Sequence, residues 1–173
     1  MLLSAVILVC FLAVAYAGAS YNGLVTLRNR CDNQWSQIDI QLKRRNDLIP
    51  KLVEMVRDYA AHERKTFEDV AKARSLMVQS KTVPEKASAD GLLKGSLTAL
   101  FAVAENYPQL KANSNFLKLQ GELTETENSI AHARQFYNDI VERYETKRRT
   151  FPSNIIAHLF TFTMREFFNV SEA

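Results

Sequence analysis

Three histidines are the first residues to test for chemistry in this chain. Helical bundles build metal sites from inward Glu-x-x-His pairs, but the residues three positions before the histidines are Tyr59, Ser129 and Ile155. His62-Glu63 begins like the His-Glu-x-x-His motif of zinc peptidases, yet Thr66 stands where the second histidine is required. We therefore expect no metal site.

Other catalytic signatures are also missing from the sequence. The two cysteines form no Cys-x-x-Cys pair, and no glycine-rich phosphate loop, nucleophile elbow or dinucleotide fingerprint occurs. The net charge of +3 is spread along the chain, whereas nucleic-acid binding requires a clustered basic face. We expect a protein that is not an enzyme, has no cofactor and binds no nucleic acid.

The composition indicates the elements that must position any site. With 5 glycines and 4 prolines in 173 residues, the chain has too few turn residues for a sandwich or barrel. Its 47% apolar and 24% charged residues are enough for one helical core and are atypical of disorder. The sequence therefore predicts long helices in a chain of one-domain size.

The amino-terminal 19 residues are almost wholly apolar, and no charged residue precedes Arg28. Nineteen helical residues span about 28 Å, close to the roughly 30 Å hydrocarbon core of a bilayer. A cleaved signal peptide ending at Ala15-Tyr16-Ala17 is the alternative, although its basic region is missing. Arg28 and Arg30 follow the span, so the positive-inside rule predicts a cytoplasmic soluble part and a short outer amino terminus.

Apolar residues recur at helical spacing through the rest of the chain. The first stripe, from Leu24 to Leu42, continues the helix out of the membrane. A second stripe runs from Ile49 to Met77, with Pro50 in its first turn, which predicts a kink or a tight reversal at residues 47–50.

A loop at residues 81–84 then precedes a shorter helix, which is marked by an apolar stripe from Leu93 to Tyr107 and ends at Pro108. The fourth stripe, from Phe116 to Tyr144, keeps strict 3-4 spacing after a cap at Asn113 or Ser114. Together these patterns predict an all-α fold, an up-and-down four-helix bundle with an amino-terminal transmembrane helix and a short carboxyl-terminal aromatic helix and tail. The predicted segments are a membrane anchor at residues 1–20 and a bundle at residues 21–173.

Polar residues interrupt the apolar stripes at four positions: Glu63, Arg74, Thr126 and Glu127. Paired or snorkelling groups at the bundle seam explain them best, because an unpaired buried charge is costly; a functional polar network is the alternative. The Lys43-Arg44-Arg45 run is interpreted as a solvated face, with contact to anionic lipid as the alternative. The aromatic tail from Phe151 to Phe168 is expected to dock on the bundle, with partner or membrane contact as alternatives.

Four segments carry a resemblance to a known family: YNGLVTLRNR, NQWSQIDIQLKRRNDLIPKLVEMV, TENSIAHARQFYNDIVERY and FPSNIIAHLFTF. They resemble the LemA family of bacterial membrane proteins over residues 21–170. The resemblance implies one amino-terminal transmembrane helix, a helical bundle and no enzymatic activity. Thr161 stands where the family pattern has a glycine in the turn after the last helix.

The family's characteristic positions also supply the candidate interaction residues. Those matched in this chain include Trp35, Arg44, Arg45, Asp47, Pro50, His62, Glu63, Arg74, Glu127, Asn128, Pro152 and Asn154. We expect a single-pass inner-membrane protein that binds an unidentified membrane or cytoplasmic protein and acts as an interaction or scaffold module. The alternative, suggested by the magnetosome branch of the family, is a self-assembling protein that organises an intracellular membrane.

Overall fold

A computed structural model describes residues 2–169 and contains no strand within that range. Its six helices are α1 (Leu2–Tyr59), α2 (Arg64–Gln79), α3 (Val83–Glu105), α4 (Pro108–Lys111), α5 (Ser114–Arg149) and α6 (Ser153–Leu159). The predicted all-α class is confirmed. Met1 and residues 170–173 lie outside the described residues, and the division into segments 1–20 and 21–173 stays a prediction.

The amino-terminal part of α1 is apolar and uncovered. It contains an 18-residue window with a mean hydropathy of 2.5, none of which is buried. Residues 2–16 are all exposed, and Ser20 is the first buried residue along the helix. By length and composition this helix can cross a membrane.

The helices form two compact units. The first unit comprises Met1–Trp35 and Phe136–Glu166, and the second comprises Ser36–Gln135 and Phe167–Ala173. Helices α1 and α5 contribute residues to both units, whereas α2, α3 and α4 belong wholly to the second.

Four helical segments of the second unit run alternately up and down: the end of α1, then α2, α3 and the start of α5. The Arg57 guanidinium lies over the Phe67 ring at 5.3 Å, near the turn that joins α1 to α2. Phe101 and Phe116 stack edge to face at 6.2 Å, near the connection from α3 to α5. The shared core is aliphatic and includes Leu42, Ile49, Leu52, Val70, Leu93, Leu100 and Leu123. A four-helix bundle is thus present, as the apolar stripes predicted.

The reversal predicted at residues 47–50 is wrong, and the kink given as its alternative stays a prediction. Helix α1 continues through Pro50 to Tyr59, and the chain reverses at residues 60–63. Proline lacks the amide that would hydrogen-bond the carbonyl of Asn46, which is the usual reason for a break. Here the Arg74 side chain of α2 donates to that carbonyl instead, so the helix can continue.

Side-chain caps define where α3 and α5 begin. Thr82 and Glu85 form a capping box, in which each side chain accepts from the other residue's backbone amide, so α3 begins at Val83, ten residues before Leu93. The predicted cap at Asn113 is confirmed, because its Oδ1 accepts from the amide of Asn115 at 2.9 Å.

The aromatic tail docks within the first unit, as expected. The Tyr137 hydroxyl donates to the carbonyl of Glu166 and the Tyr144 hydroxyl donates to that of Thr163, both at 2.8 Å. The amide of Arg165 donates to Glu145 Oε1 at 2.9 Å. Three residues of α5 therefore hold the main chain of the tail.

Thr161 adopts a left-handed backbone conformation, with φ of 55°. The amide of Phe162 donates to the carbonyl of Ala157, and that of Thr161 donates to the carbonyl of His158. These two bonds form a Schellman motif, which usually places glycine at the left-handed position. The expected turn is present, but its left-handed position is occupied by threonine, a β-branched residue, instead of glycine.

Candidate functional site

Arg45 lies on the buried face of α1 in the second unit. It falls between Leu42 and Ile49 at 3-4 spacing, so it points into the core together with these two residues. Its side chain is 1% exposed, whereas that of Arg44 is 47% exposed. The interpretation of the Lys43-Arg44-Arg45 run as a solvated face is therefore wrong for Arg45, because helical phase outweighs the local run of charge.

Two carboxylates from other helices pair with the Arg45 guanidinium. Nη2 binds Oδ1 of Asp90 in α3, and Nη1 donates to Oε2 of Glu127 in α5 at 2.7 Å. The Asp90 side chain is 5% exposed and that of Glu127 is 34% exposed. Lys94 Nζ lies 3.4 Å from the second oxygen of Glu127. These four residues, called the Arg45 cluster below, connect three helices with two positive and two negative charges.

Burial and charge act in opposite directions on Asp90. Burial raises the pKa of its carboxyl, while the charge and hydrogen bond of Arg45 lower it, and burial has the larger effect. Burial therefore disfavours the charged form of the Asp90 carboxyl. Its ionised form depends on Arg45.

A second polar contact lies one residue further along α1. Arg74 Nε donates to the carbonyl of Asn46 at 3.3 Å, the carbonyl left without a helical partner by Pro50. Pro50 and Arg74, which are both predicted site residues, are thus connected through the backbone of Asn46. Proline creates the free acceptor, and the arginine from α2 fills it.

Some buried polar atoms near the cluster keep spare hydrogen-bonding capacity. Gln41 Oε1, Arg45 Nε and Asn46 Oδ1 have no hydrogen-bond partner within residues 2–169. Gln41 and Arg45 lie one helical turn apart on α1. The cluster is therefore a polar region inside an otherwise aliphatic core.

The structure brings together only part of the predicted set. Arg45 is buried in the second unit, and Arg74 and Glu127 are partly buried there. Six further predicted residues are exposed on this unit: Arg44, Asp47, Pro50, His62, Glu63 and Asn128. Trp35, Pro152 and Asn154 belong to the first unit, where the Trp35 ring packs 5.7 Å from that of Tyr137. The predicted residues thus fall into three groups: partly or fully buried residues of the second unit, exposed residues of that unit, and residues of the first unit.

Sequence reasoning missed Asp90, although a signal was present. Asp90 lies three residues before Leu93 and so continues the Leu93, Leu97, Leu100 stripe backwards. A carboxylate in phase with an apolar stripe predicts a buried acid. Such an acid requires a buried cation from another helix.

The first unit has its own polar cluster, centred on Glu145. Burial alone would raise the pKa of its carboxyl, but hydrogen bonds from the Arg148 side chain and the Arg165 amide hold it below the usual range. Burial also raises the pKa of the Tyr137 hydroxyl to about 12 and that of the Cys31 thiol to about 11. The tyrosine therefore remains a hydrogen-bond donor to the tail at neutral pH.

In the described part of the chain, no group of three or more histidine, cysteine, aspartate or glutamate side chains could hold a metal ion. The charged groups of the Arg45 cluster face one another. The ion pairs of the Arg45 cluster can therefore determine which faces of α1, α3 and α5 pack together.

The comparisons with known proteins agree with this architecture. A model of the LemA family matches residues 34–173. The matched range begins after the apolar part of α1 and includes the whole Arg45 cluster.

Individual relatives have low identity but long overlap. The chain is 24% identical over 199 residues to magnetosome protein MamQ 2 of Paramagnetospirillum magneticum, covering 100% of this chain and 72% of that protein. It is 28% identical over 155 residues to protein LemA of Metamycoplasma hominis, covering 87% and 69%. It is 22% identical over 179 residues to magnetosome protein MamQ of Magnetospirillum gryphiswaldense, covering 88% and 66%. With the exposed apolar helix, these matches support a membrane-associated helical protein.

Proposed function

Because the chain belongs to the LemA family, we propose that it is a non-enzymatic interaction or scaffold module held at the bacterial inner membrane by α1. In this proposal the apolar segment crosses the membrane once, with a short outer amino terminus and a cytoplasmic bundle. Its partner is a membrane or cytoplasmic protein that binds the surface of the second unit.

The observation that carries this proposal is the continuity of α1. One helix contains both the uncovered apolar segment and the first bundle helix of the second unit, Leu2–Tyr59. A helix in place of a flexible linker suits a protein that presents a surface near a membrane. The charges of the Arg45 cluster are engaged with one another, which leaves the exposed residues for recognition.

Exposed apolar residues of the second unit are the first places to look for a partner. Leu92, on α3, is 52% exposed. A photo-crosslinking amino acid placed there in living cells should yield a discrete adduct that mass spectrometry identifies as one protein. The same probe at exposed Thr98, six residues along the same helix, is the matched control. Equal recovery of lipid and background proteins at both positions would contradict the proposal.

Orientation requires its own experiment. Thr98→Cys in a chain with both natural cysteines replaced by alanine should react with a membrane-impermeant maleimide only after cell lysis. The chain should also remain in the membrane fraction at full mass, which excludes cleavage as a signal peptide. Labelling of cells that have only a permeabilised outer layer would place the bundle outside and would contradict the positive-inside argument.

The magnetosome relatives favour a second candidate, a protein that self-assembles to organise an intracellular membrane. Purified full-length protein would then form oligomers whose mass rises with concentration in light scattering. A constant monomer mass over the same range would leave the interaction module as the better proposal.

A further inference from the structure

Helix α6 and its flanks turn large apolar side chains outwards. Phe151, Ile155, Leu159 and Phe160 are 75%, 57%, 72% and 53% exposed. Ile155 and Leu159 are four residues apart within α6, so their side chains follow one side of this helix, while Phe151 and Phe160 flank it. Ser153 and Ala157, on the opposite side of α6, are buried. The outward side of α6 thus carries large apolar side chains next to exposed Asn154 and His158, and a cluster of large apolar side chains is unusual for a surface in water.

This apolar face lies beside the point where α1 leaves its apolar segment. The Tyr21 ring contacts that of Phe160 at 4.8 Å and that of Phe162 at 5.7 Å. Tyr16 and Tyr21 are both partly exposed near the end of the segment, where transmembrane helices place tyrosine at the membrane surface. Within the first unit, α6 is therefore close to the expected membrane boundary.

A lysine side chain lies at the same boundary. The Lys147 side chain crosses α1 at Gly23, and a Cβ at this position would collide with the lysine ammonium. Gly23 is two residues beyond Tyr21, an axial distance of about 3 Å. Arg149, two residues beyond Lys147 along α5, is 65% exposed and pairs with Glu145 at 3.2 Å. Cations such as Lys147 are complementary to anionic lipid headgroups.

We propose that the outward face of α6, comprising Phe151, Ile155, Leu159 and Phe160, inserts into the boundary between headgroups and acyl chains of the leaflet in which α1 ends. A lipid surface explains all three observations together: an outward apolar face, its contact with the last residues of the apolar segment, and the neighbouring lysine. The proposal rests on the membrane anchoring proposed above. It needs no protein partner.

The test measures the depth of a fluorophore in the full-length protein. A nitrobenzoxadiazole label is attached to Leu159→Cys in a Cys10→Ala chain; Cys31 is buried and its thiol pKa is about 11, so it stays unlabelled at neutral pH. The protein is placed at one copy per nanodisc of phosphatidylcholine and phosphatidylglycerol. Lipids carrying a nitroxide near the top of the acyl chain then quench labels at that depth.

The matched control is Phe136→Cys, an apolar position of the first unit that is 61% exposed. It lies on α5, eleven residues before Lys147, or about 16 Å along the helix. We expect quenching at position 159 to be about threefold greater than at position 136, with emission shifted to the blue, because only position 159 enters the acyl region. A label on Ile155→Cys should behave like the one at position 159.

Different results separate the possible failures. A separate chain without introduced cysteines is labelled at native Cys10, inside the apolar segment, and should be quenched by lipids that carry the nitroxide deep in the acyl chain; if it is not, the membrane anchoring itself fails. If Cys10 is quenched but position 159 is quenched no more than position 136, the α6 proposal alone is overturned. Blue-shifted emission at position 159 without lipid quenching would mean that protein covers this face, which also overturns the proposal.

Discussion

Replacing Arg45 with methionine tests whether the Arg45 cluster holds the second unit together. Methionine fills part of the volume but removes the guanidinium that pairs with Asp90 and Glu127. Glu127 is partly exposed and keeps Lys94, whereas Asp90 is left as a buried carboxylate without its cation. Breaking a buried ion pair in this way costs about 3 to 5 kcal/mol, a large part of the stability of a typical domain.

The neighbouring residue supplies the matched control. Arg44→Met makes the same chemical change at a side chain that is 47% exposed and whose contact with Glu125 is 3.8 Å long. A surface pair of this kind contributes about 0 to 1 kcal/mol. The free energy of unfolding of both full-length variants, measured in detergent micelles by circular dichroism against urea, should therefore differ by several kcal/mol. Equal losses for the two variants would refute the reasoning.

A second substitution identifies the source of the cost. If the unpaired Asp90 carboxylate causes the loss, Asp90→Leu in the Arg45→Met chain should recover about 2 to 3 kcal/mol, because an apolar pair can replace a buried ion pair. Lowering the pH should also stabilise the Arg45→Met variant. Burial already raises the pKa of Asp90, and without Arg45 it rises further. A raised folded pKa means that stability is lost as pH rises through it, so the deficit should shrink from pH 7 towards pH 4.5.

Three further predictions concern local contacts. Pro50→Ala restores a backbone amide within α1, so Arg74→Ala should destabilise the Pro50→Ala chain less than the unmodified chain by about 1 kcal/mol in the same urea assay. Thr161→Gly should raise the free energy of unfolding by about 1 kcal/mol, because the φ of 55° strains a β-branched residue; Thr161→Val should give no gain. The pKa of the Glu145 carboxyl is lowered in the folded protein. Its ionised form therefore stabilises the tail at pH values above the carboxyl's usual pKa, and this stabilisation is lost as the pH falls through the lowered pKa. Protease cleavage of the tail should therefore increase on acidification, and a Glu145→Gln chain should be cleaved faster at neutral pH with little further dependence on pH.

Patterns within one helix were sufficient to predict the all-α class and the position of α5. The 3-4 stripe after Asn113 predicted α5. Caps and apolar spacing depend on residues within one or two turns, so the sequence alone contains them. The glycine expected at position 161 also reflected a local backbone requirement, which the structure satisfies with threonine.

The predictions that were wrong depended on contacts between helices. From the sequence alone, a proline in the first turn of a helix cannot be distinguished from a proline in the middle of a helix. The difference depends on which group hydrogen-bonds the carbonyl that the proline leaves free. That partner, Arg74, is 24 residues further along the chain than Pro50 and on another helix. Arg45 was misread for the same reason, because the carboxylates that make its burial possible come from α3 and α5.

The position of the Arg45 cluster separates residues that act through the fold from residues that act at the surface. An aliphatic four-helix core tolerates small shifts of one helix along another, whereas a guanidinium that must meet both Asp90 and Glu127 favours a single register. Variants of Arg45, Arg74 or Glu127 should therefore lose function only in proportion to lost stability. A partner-binding residue would instead lose function while the free energy of unfolding stays unchanged. The exposed positions of the predicted set, such as His62 and Asn128, are the ones to which this second test applies.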